Sequence, residues 1–212
     1  MVKVLGIISL ISIVYSNFDS KMINFGLDFK IISISFLLLF IPVIFYQVKN
    51  KYTVDDAFRL FGFLFLIGVS LNYFIIIRDM DLKYFILMLL TPMLTDTFAY
   101  IGGSLIGKHK VTKLSPHKSW EGYIIGSLMG TFIMTMYYVT VIGNQSNIFI
   151  VIGIILLMTI VGQIGDLFFS AIKRHYDIKD FSNLIPGHGG ILDRFDSVIF
   201  VSLGLTLVLS LL

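Results

Sequence analysis

Apolar residues run through this chain in long stretches that are separated by short polar segments. A helix needs about 20 apolar residues to cross the hydrocarbon core of a bilayer. A backbone inside that core must satisfy its own hydrogen bonds, which favours helices where no strand-like alternation is present. The predicted spans are about 2–15, 31–48, 58–77, 84–105, 123–142, 148–172 and 198–212. The pattern therefore predicts an all-α, polytopic membrane helix bundle with about seven transmembrane helices in one integral-membrane domain.

The first apolar stretch has an alternative interpretation as a cleaved signal peptide, because it is short and begins near Lys3. The residues that follow it, Ser16-Asn17-Phe18, do not form the small-residue pattern at which such peptides are cleaved. We therefore treat the stretch as the first span.

The composition supports a membrane protein and excludes several other classes. Of the 212 residues, 57% are hydrophobic and 14% are charged, and the mean hydropathy is +0.92. Soluble domains carry about 25% charged residues, so a soluble globule, a disordered chain and a basic nucleic-acid-binding module are excluded. The absence of cysteine excludes disulfides and zinc–thiolate sites.

The distribution of basic residues predicts the orientation in the membrane. Cytoplasmic loops are enriched in lysine and arginine. Placing the N-terminus in the cytoplasm leaves only four of the 16 basic residues outside, namely Lys21, Lys30, Arg78 and Lys83. Two long polar loops, about 106–122 and 173–197, are separated by two spans and must then share the cytoplasmic face. We expect chemistry to be concentrated there.

The first of these loops has a composition suited to anion binding. Lys118 supplies charge, Ser119 supplies a hydroxyl, and Ser119 with Glu121 ahead of an apolar run is typical of a helix start. Helix N-termini favour phosphate groups. The alternative is that the loop is only a positively charged cytoplasmic segment.

The second loop combines glycines with two carboxylates three residues apart, Asp193 and Asp196. If the last helix begins near Ile191, both carboxylates lie on one face and repel each other unless a cation lies between them. Carboxylates together with phosphate oxygens suit Mg²⁺, which takes few protein ligands. The alternative is that these aspartates only interact with the positive end of the helix dipole.

The sixth predicted span carries a polar stripe at alternating steps of four and three residues. Its members are Thr159, Gln163, Asp166, Ser170 and Lys173. A carboxylate such as Asp166 inside a span is costly and marks a candidate functional site. Gly162 and Gly165 would allow a neighbouring helix to approach closely. The stripe points towards Asp193 and Asp196, which favours a divalent-metal site over a simple interhelical hydrogen-bond network.

The fourth predicted span contains Pro92 and, one turn later, Asp96. The proline frees the carbonyl four residues before it from helical hydrogen bonding. Asp96 is a candidate ligand, a base that positions substrate, or a buried hydrogen-bonded acid, and the sequence leaves these three roles open.

Three motifs in the second half of the chain point to one family. Residues 170–196 contain Ser170-x-Ile172-Lys173-Arg174, then Lys179-Asp180, then Pro186-x-His188-Gly189-Gly190-Ile191-x-Asp193-Arg194-Phe195-Asp196. The other two are Asp96-Thr97-Phe98-Ala99-Tyr100 and Ser115-Pro116-His117-Lys118-Ser119-Trp120-Glu121-Gly122. Together they resemble the phosphatidate cytidylyltransferases, or CDP-diacylglycerol synthases. The similarity covers about residues 85–212, and the earlier residues match only as hydrophobic spans.

The resemblance implies a reaction in which CTP and phosphatidate give CDP-diacylglycerol and pyrophosphate in phospholipid biosynthesis. It implies Mg²⁺, a second, monovalent cation such as K⁺, and a homodimer. About residues 1–83 would then be N-terminal spans and about 84–212 the catalytic part. CTP is soluble and phosphatidate lies in the leaflet, so the site should lie at the cytoplasmic surface of the cell membrane. No nucleic-acid partner is expected.

The predicted site residues fall into two groups. The catalytic set is Asp166, Asp193, Asp196 and Lys173, with the three aspartates as metal ligands. The substrate-binding set is Lys118, Ser119, Arg174, His188, Arg194 and Asp96. Because the attacking phosphate is already an anion, the reaction needs positioning and charge neutralisation rather than a side-chain nucleophile.

Other activities remain open at this point. A CTP-dependent lipid kinase and a CDP-isoprenoid-lipid synthase would use similar residues. A channel or transporter is the alternative from another class, although it would favour polar groups at mid-membrane between paired broken helices.

Overall fold

A computed structural model describes residues 2–16, 29–46, 52–112, 115, 118–143, 147–184 and 189–211. These residues form seven α-helices: α1 (Val2–Val14), α2 (Phe29–Tyr46), α3 (Val54–Met80), α4 (Leu82–Ile106), α5 (Trp120–Tyr137), α6 (Ile148–His175) and α7 (Leu192–Leu211). A π-helical turn, Tyr138–Ile142, continues α5. Apart from isolated bridges, such as the one between Lys110 and Ser119, the described residues contain no β-strand. The predicted all-α class is confirmed.

Several helices extend beyond the apolar stretches that predicted them. α3 begins at Val54, α6 ends at His175 and α7 begins at Leu192, so the polar loops are shorter than expected. Hydropathy detects only the apolar part of a helix, whereas backbone hydrogen bonding continues into polar residues at its ends. Among the described residues, α3, α4, α5 with its π-helical turn, and α6 are long and apolar enough to cross a membrane, and two shorter apolar helices lie in α1 and α2.

The chain divides into two compact units, residues 1–80 and 81–212. In the first unit, α1 packs against both α2 and α3. The Asn72 side chain on α3 donates a hydrogen bond to the Val14 carbonyl oxygen at 2.7 Å, which satisfies a carbonyl at the end of α1. The Tyr52 hydroxyl donates to the Leu39 carbonyl oxygen at 3.0 Å and connects the start of α3 to α2.

In the second unit, α4 and α5 approach closely along a row of glycines. Gly122, Gly126 and Gly130 are spaced four residues apart on α5 and face α4. A Cβ atom at Gly126 would lie 2.6 Å from the Thr95 carbonyl oxygen, so a side chain at this position would collide with the α4 backbone. Sequence analysis missed this contact, although the spacing is the small-residue pattern of tightly packed membrane helices.

The close approach of α6 to a neighbouring helix, predicted from Gly162 and Gly165, is confirmed. Their partner is α7: a Cβ atom at Gly162 would lie 3.1 Å from Val201, and one at Gly165 would lie 2.7 Å from Phe200. This packing fixes the end of α6 beside the start of α7. It therefore brings together the two elements that carry most of the predicted site residues.

Candidate active site

Charged side chains from four elements meet at one end of the second unit. The loop before α5, the last turns of α6 and the first turn of α7 are connected by ion pairs. Asp96 of α4 joins them through a long hydrogen bond of 3.4 Å from the Ser197 hydroxyl of α7. The expectation that both polar loops lie at the same end is confirmed by these contacts.

The centre of the site is a lysine held between two aspartates. Lys173 Nζ lies 3.0 Å from Asp193 Oδ1 and 3.8 Å from Asp196 Oδ2. The Lys173 side chain is 12% exposed and that of Asp193 only 5%, so water screens this pair weakly. A buried carboxylate is costly without a partner. The α7 aspartates are three residues apart on one helix face, as predicted, and Lys173 is the cation between them.

The loop before α7 wraps around the other oxygen of Asp193. Asp193 Oδ2 accepts hydrogen bonds from the backbone N–H groups of Phe181 and Gly190, both at 2.9 Å. Gly189 has φ of +78°, which favours glycine. A Cβ atom at Gly190 would lie 3.1 Å from the carboxylate. Asp193 therefore organises the glycine-rich loop and also neutralises Lys173.

A short hairpin between α4 and α5 places Lys118 in the site. The Val111 N–H donates to the Lys118 carbonyl oxygen at 3.0 Å, and the Trp120 N–H donates to the His109 carbonyl oxygen at 2.9 Å. The Lys118 ammonium forms an ion pair with Asp166 of α6. This pair was not predicted, because the two residues are 48 positions apart and their approach depends on how α5 packs against α6.

Burial lowers the pKa of Lys118 below that of an ordinary lysine. The carboxylates of Asp96 and Asp196 act in the opposite direction, whereas the nearby ammonium of Lys173 adds to the lowering. A phosphate bound beside Lys118 would be a further anion and would favour the charged ammonium form of this side chain. Lys118 is therefore suited to binding a phosphate.

Glu121 closes the base of the hairpin. Its carboxylate accepts backbone hydrogen bonds from Lys108 and His109, both at 3.2 Å, and contacts the His109 ring nitrogen at 2.6 Å. Sequence analysis named Glu121 as part of a helix start but assigned it no partner. The available signal was an acid in the first turn of a helix beside a basic loop.

Ser119 is the N-cap of α5, as its place before the apolar run predicted. Its hydroxyl oxygen accepts a hydrogen bond from the Gly122 N–H at 3.2 Å, and the residue is 8% exposed. We expect Ser119→Ala to lower the free energy of unfolding by about 1 kcal/mol, the usual cost of losing such a cap. Thermal unfolding in detergent measures this, with Ser104→Ala as the control, since the exposed Ser104 hydroxyl bonds only to its own helix. Equal unfolding temperatures for the two variants would contradict the capping role.

A cavity of about 420 Å³ opens between α4 and α7 next to these ion pairs. Asp96, Asp193 and Asp196 line it together with Arg194 and Ser197. The structure therefore brings three of the predicted aspartates to one cavity and adds the predicted arginine. Asp96, whose role the sequence left open, lies at the cavity wall.

The remaining predicted residues are placed as follows. Asp166 pairs with Lys118 and is not among the described lining residues of this cavity. Arg174 is exposed at the end of α6 and donates to the Ile178 carbonyl oxygen at 3.3 Å. His188 lies outside the described residues.

The donors at the cavity suit a hard cation, since carboxylate oxygens are the ligands that Mg²⁺ prefers. Within the part of the chain that the structure describes, no three acidic or histidine side chains are grouped closely enough to hold one ion. Mg²⁺ usually keeps several waters and takes only one or two carboxylates. The residues therefore fit the ion chemically, and magnesium binding stays a prediction.

The apolar helices and the charged cluster at one end of the second unit define an integral membrane protein with a partly buried charged site. The comparison with known families gives the same class in more detail. The model of the cytidylyltransferase family matches residues 1–212, and this chain belongs to that family.

Several curated proteins are similar to this chain. The phosphatidate cytidylyltransferase of Staphylococcus haemolyticus (strain JCSC1435) is 40% identical over 174 residues. The proteins of the same name from Staphylococcus aureus (strain COL) and Staphylococcus epidermidis (strain ATCC 12228 / FDA PCI 1200) are 38% identical over 174 and 176 residues. Each match covers 81% of this chain and 65% of the relative, so the chain spans slightly less than two thirds of these proteins.

Proposed function

We propose that this chain is a phosphatidate cytidylyltransferase, which transfers the cytidylyl group of CTP to phosphatidate and releases pyrophosphate. Family membership supports nucleotidyl transfer, and the relatives named above carry this name. The observation that carries the proposal is the charged end of the second unit. There, Lys118 and Lys173 alternate with the carboxylates of Asp166, Asp193 and Asp196 beside a 420 Å³ cavity.

The reaction requires this kind of charge arrangement. A phosphate oxygen of phosphatidate attacks the α-phosphorus of CTP, the bond from that phosphorus to the bridging oxygen breaks, and pyrophosphate leaves. The nucleophile is anionic, so catalysis depends on bringing two anions together and stabilising the leaving group. Lys118, Lys173 and Arg194 are the cations that would hold the phosphates. The proposed substrate-binding set is completed by Ser119, Arg174, His188 and Asp96.

We propose that Mg²⁺ binds at the cavity through Asp193 and Asp196, with Asp96 at its wall. Asp166, which was also predicted as a ligand, is ion-paired with Lys118 and is not among the described residues that line the cavity. When bound, the ion would neutralise negative charge on the phosphates of the substrates. A monovalent cation such as K⁺ belongs to the same proposal. Lys173, which now neutralises Asp193 and Asp196, would then be available to the phosphates.

The proposal also includes a location and an assembly state. The basic residues of the hairpin and of the end of α6 favour the cytoplasmic side of the cell membrane, where CTP is available. A homodimer is proposed on the family resemblance alone. The orientation is tested by introducing single cysteines into this cysteine-free chain at Lys108 and Asn147. Their accessibility to a membrane-impermeant reagent is then measured from the two sides of sealed vesicles.

The activity is tested with purified protein in detergent, CTP, phosphatidate and Mg²⁺. We expect CDP-diacylglycerol and pyrophosphate in equal amounts, and no product after chelation of divalent metal. Release of CDP with a phosphorylated lipid would instead identify a CTP-dependent kinase, and turnover only with an isoprenoid phosphate would identify a CDP-isoprenoid-lipid synthase. Folded protein without nucleotide turnover, but with ion flux in liposomes, would identify a channel or transporter.

A further inference from the structure

A second cavity near the charged site has a different chemical character. It is an open groove of about 490 Å³ between α5 and α6, lined almost entirely by apolar side chains. Its walls include Trp120, Ile124 and Leu128 on α5 and Ile160, Ile164 and Leu167 on α6. We call it the α5–α6 groove. It does not share any described lining residue with the cavity that contains the aspartates.

The length of the groove corresponds to one leaflet of a bilayer. On α6 the lining residues extend from Leu156 to Leu167, which at 1.5 Å per residue is about 17 Å. Half of a hydrocarbon core of about 30 Å is about 15 Å. A single extended hydrocarbon chain in one leaflet therefore matches the length of the groove.

The side-chain amide nitrogen of Gln163 in the groove is already engaged. Its amide donates to the Tyr123 carbonyl oxygen and to the Ser127 hydroxyl, both at 3.1 Å, and all three residues line the groove. A ligand that accepts hydrogen bonds from this nitrogen would have to break these bonds, whereas an apolar ligand leaves them intact. The groove is therefore suited to hydrocarbon along its length.

The charged end of the groove is complementary to a phosphate. Tyr123 lines the groove, and Lys118 Nζ lies 5.7 Å from the centroid of its ring. Lys108 and Lys110 are exposed on the same hairpin, whose Val111 also lines the groove. Trp120, which is 55% exposed, is the residue type found at the headgroup level of membranes. The apolar α5–α6 groove thus begins beside the partly buried Lys118 and a basic surface.

We propose that the α5–α6 groove holds one acyl chain of the phospholipid substrate, with the lipid phosphate beside Lys118. The inference rests on the proposed function and specifies where its lipid substrate lies. Charge complementarity favours an anionic phosphate monoester at the charged end over a zwitterionic bulk lipid. Since Lys118 is also ion-paired with Asp166 of the charged site, the phosphate would lie between the groove and that site.

A third cavity provides a matched control. It measures about 390 Å³, and its walls include Tyr84 and Leu87 at the start of α4 and Ile150 and Ile154 near the start of α6, at the opposite end of the unit. None of its described lining residues is charged. Filling this cavity changes a similar apolar volume without obstructing the groove.

The first experiment fills each cavity in turn. Ile160→Trp narrows the α5–α6 groove, and Ile154→Trp narrows the control cavity. We expect Ile160→Trp to raise the KM for long-chain phosphatidate by roughly tenfold, in line with the cost of steric mismatch in an apolar pocket. The KM for CTP and that for a short-chain phosphatidate should not change, and Ile154→Trp should behave as the unsubstituted protein. Equal KM values for long-chain phosphatidate in all three proteins would overturn the proposal.

A binding experiment keeps the inference separate from the proposed activity. Phosphatidate with a photoactivatable group at the end of an acyl chain is crosslinked to the protein in detergent and the labelled peptides are identified. We expect labelling within residues 120–128 and 156–167 that excess phosphatidate suppresses and phosphatidylcholine of the same chain length does not. Labelling elsewhere, equal competition by phosphatidylcholine, or a groove occupied by a second copy of the chain would overturn the proposal. Absence of CDP-lipid synthesis with correct labelling would refute only the proposed function.

Discussion

Replacing Asp193 with asparagine is expected to reduce CDP-diacylglycerol synthesis by on the order of 100-fold or more, the scale of losing one preorganised charge contact in an active site. Asparagine keeps the shape of aspartate but removes its charge. Lys173 would keep only Asp196, whose oxygen is at 3.8 Å. The amide group would also place N–H groups against either Lys173 or the backbone donors of Phe181 and Gly190.

Three measurements separate a catalytic from a structural role of Asp193. These are turnover, CTP binding and thermal unfolding, each compared with Asp177→Asn as the control. Asp177 is exposed in the loop between α6 and α7 and has φ of 54°, a conformation that asparagine tolerates. We expect CTP binding to be largely retained in Asp193→Asn. Turnover near that of the unsubstituted protein would show that Asp193 has no catalytic role. If turnover falls only as much as the fraction of folded protein falls, the role of Asp193 is structural.

Replacing Gly126 with alanine is expected to cause a large loss of stability. The added Cβ atom would lie 2.6 Å from the Thr95 carbonyl oxygen and 2.8 Å from Ala99 Cβ, so α4 and α5 would have to separate. Overpacking of this kind costs about 1–3 kcal/mol, and backbone cannot move aside as a flexible side chain can. We expect a lower unfolding temperature in detergent and reduced activity, because α5 carries the hairpin lysine Lys118 at its start.

Gly153→Ala is the matched control for this prediction. Gly153 lies within α6, and a Cβ atom there would meet no other atom within 4 Å among the described residues. Alanine has a higher helix propensity than glycine by up to about 1 kcal/mol, so this variant should be at least as stable as the unsubstituted protein. If both variants unfold at the same temperature, the close approach of α4 and α5 does not contribute to stability as argued.

The sequence predicted the helices well because burial in lipid leaves a local signal. An apolar stretch must form its hydrogen bonds within itself, so its approximate length and position follow from composition. The ends were less accurate. α6 continues to His175, beyond the predicted end of the sixth span at about residue 172, whereas α7 begins at Leu192, close to the start near Ile191 considered for the two aspartates.

The site was predicted in part. The three-residue spacing of Asp193 and Asp196 and the polar stripe of α6 indicated that these residues act together, and Lys173 indeed lies between the two aspartates. The pairing of Lys118 with Asp166, the hairpin and the contact of Glu121 with His109 were not predicted. These contacts join residues on different elements, and spacing along one helix carries no information about them.

The sequence alone determined the helical class, the membrane environment, the family resemblance and the identity of the charged residues, because each follows from local composition, periodicity or a contiguous motif. Only the tertiary structure decided which charges pair, which aspartates line the cavity and where an apolar groove begins beside Lys118. Those features depend on how closely helices approach and at which rotation. The distance between helices is set where small residues such as Gly126 and Gly165 contact a neighbouring helix. The residues on that neighbouring helix are distant in the sequence.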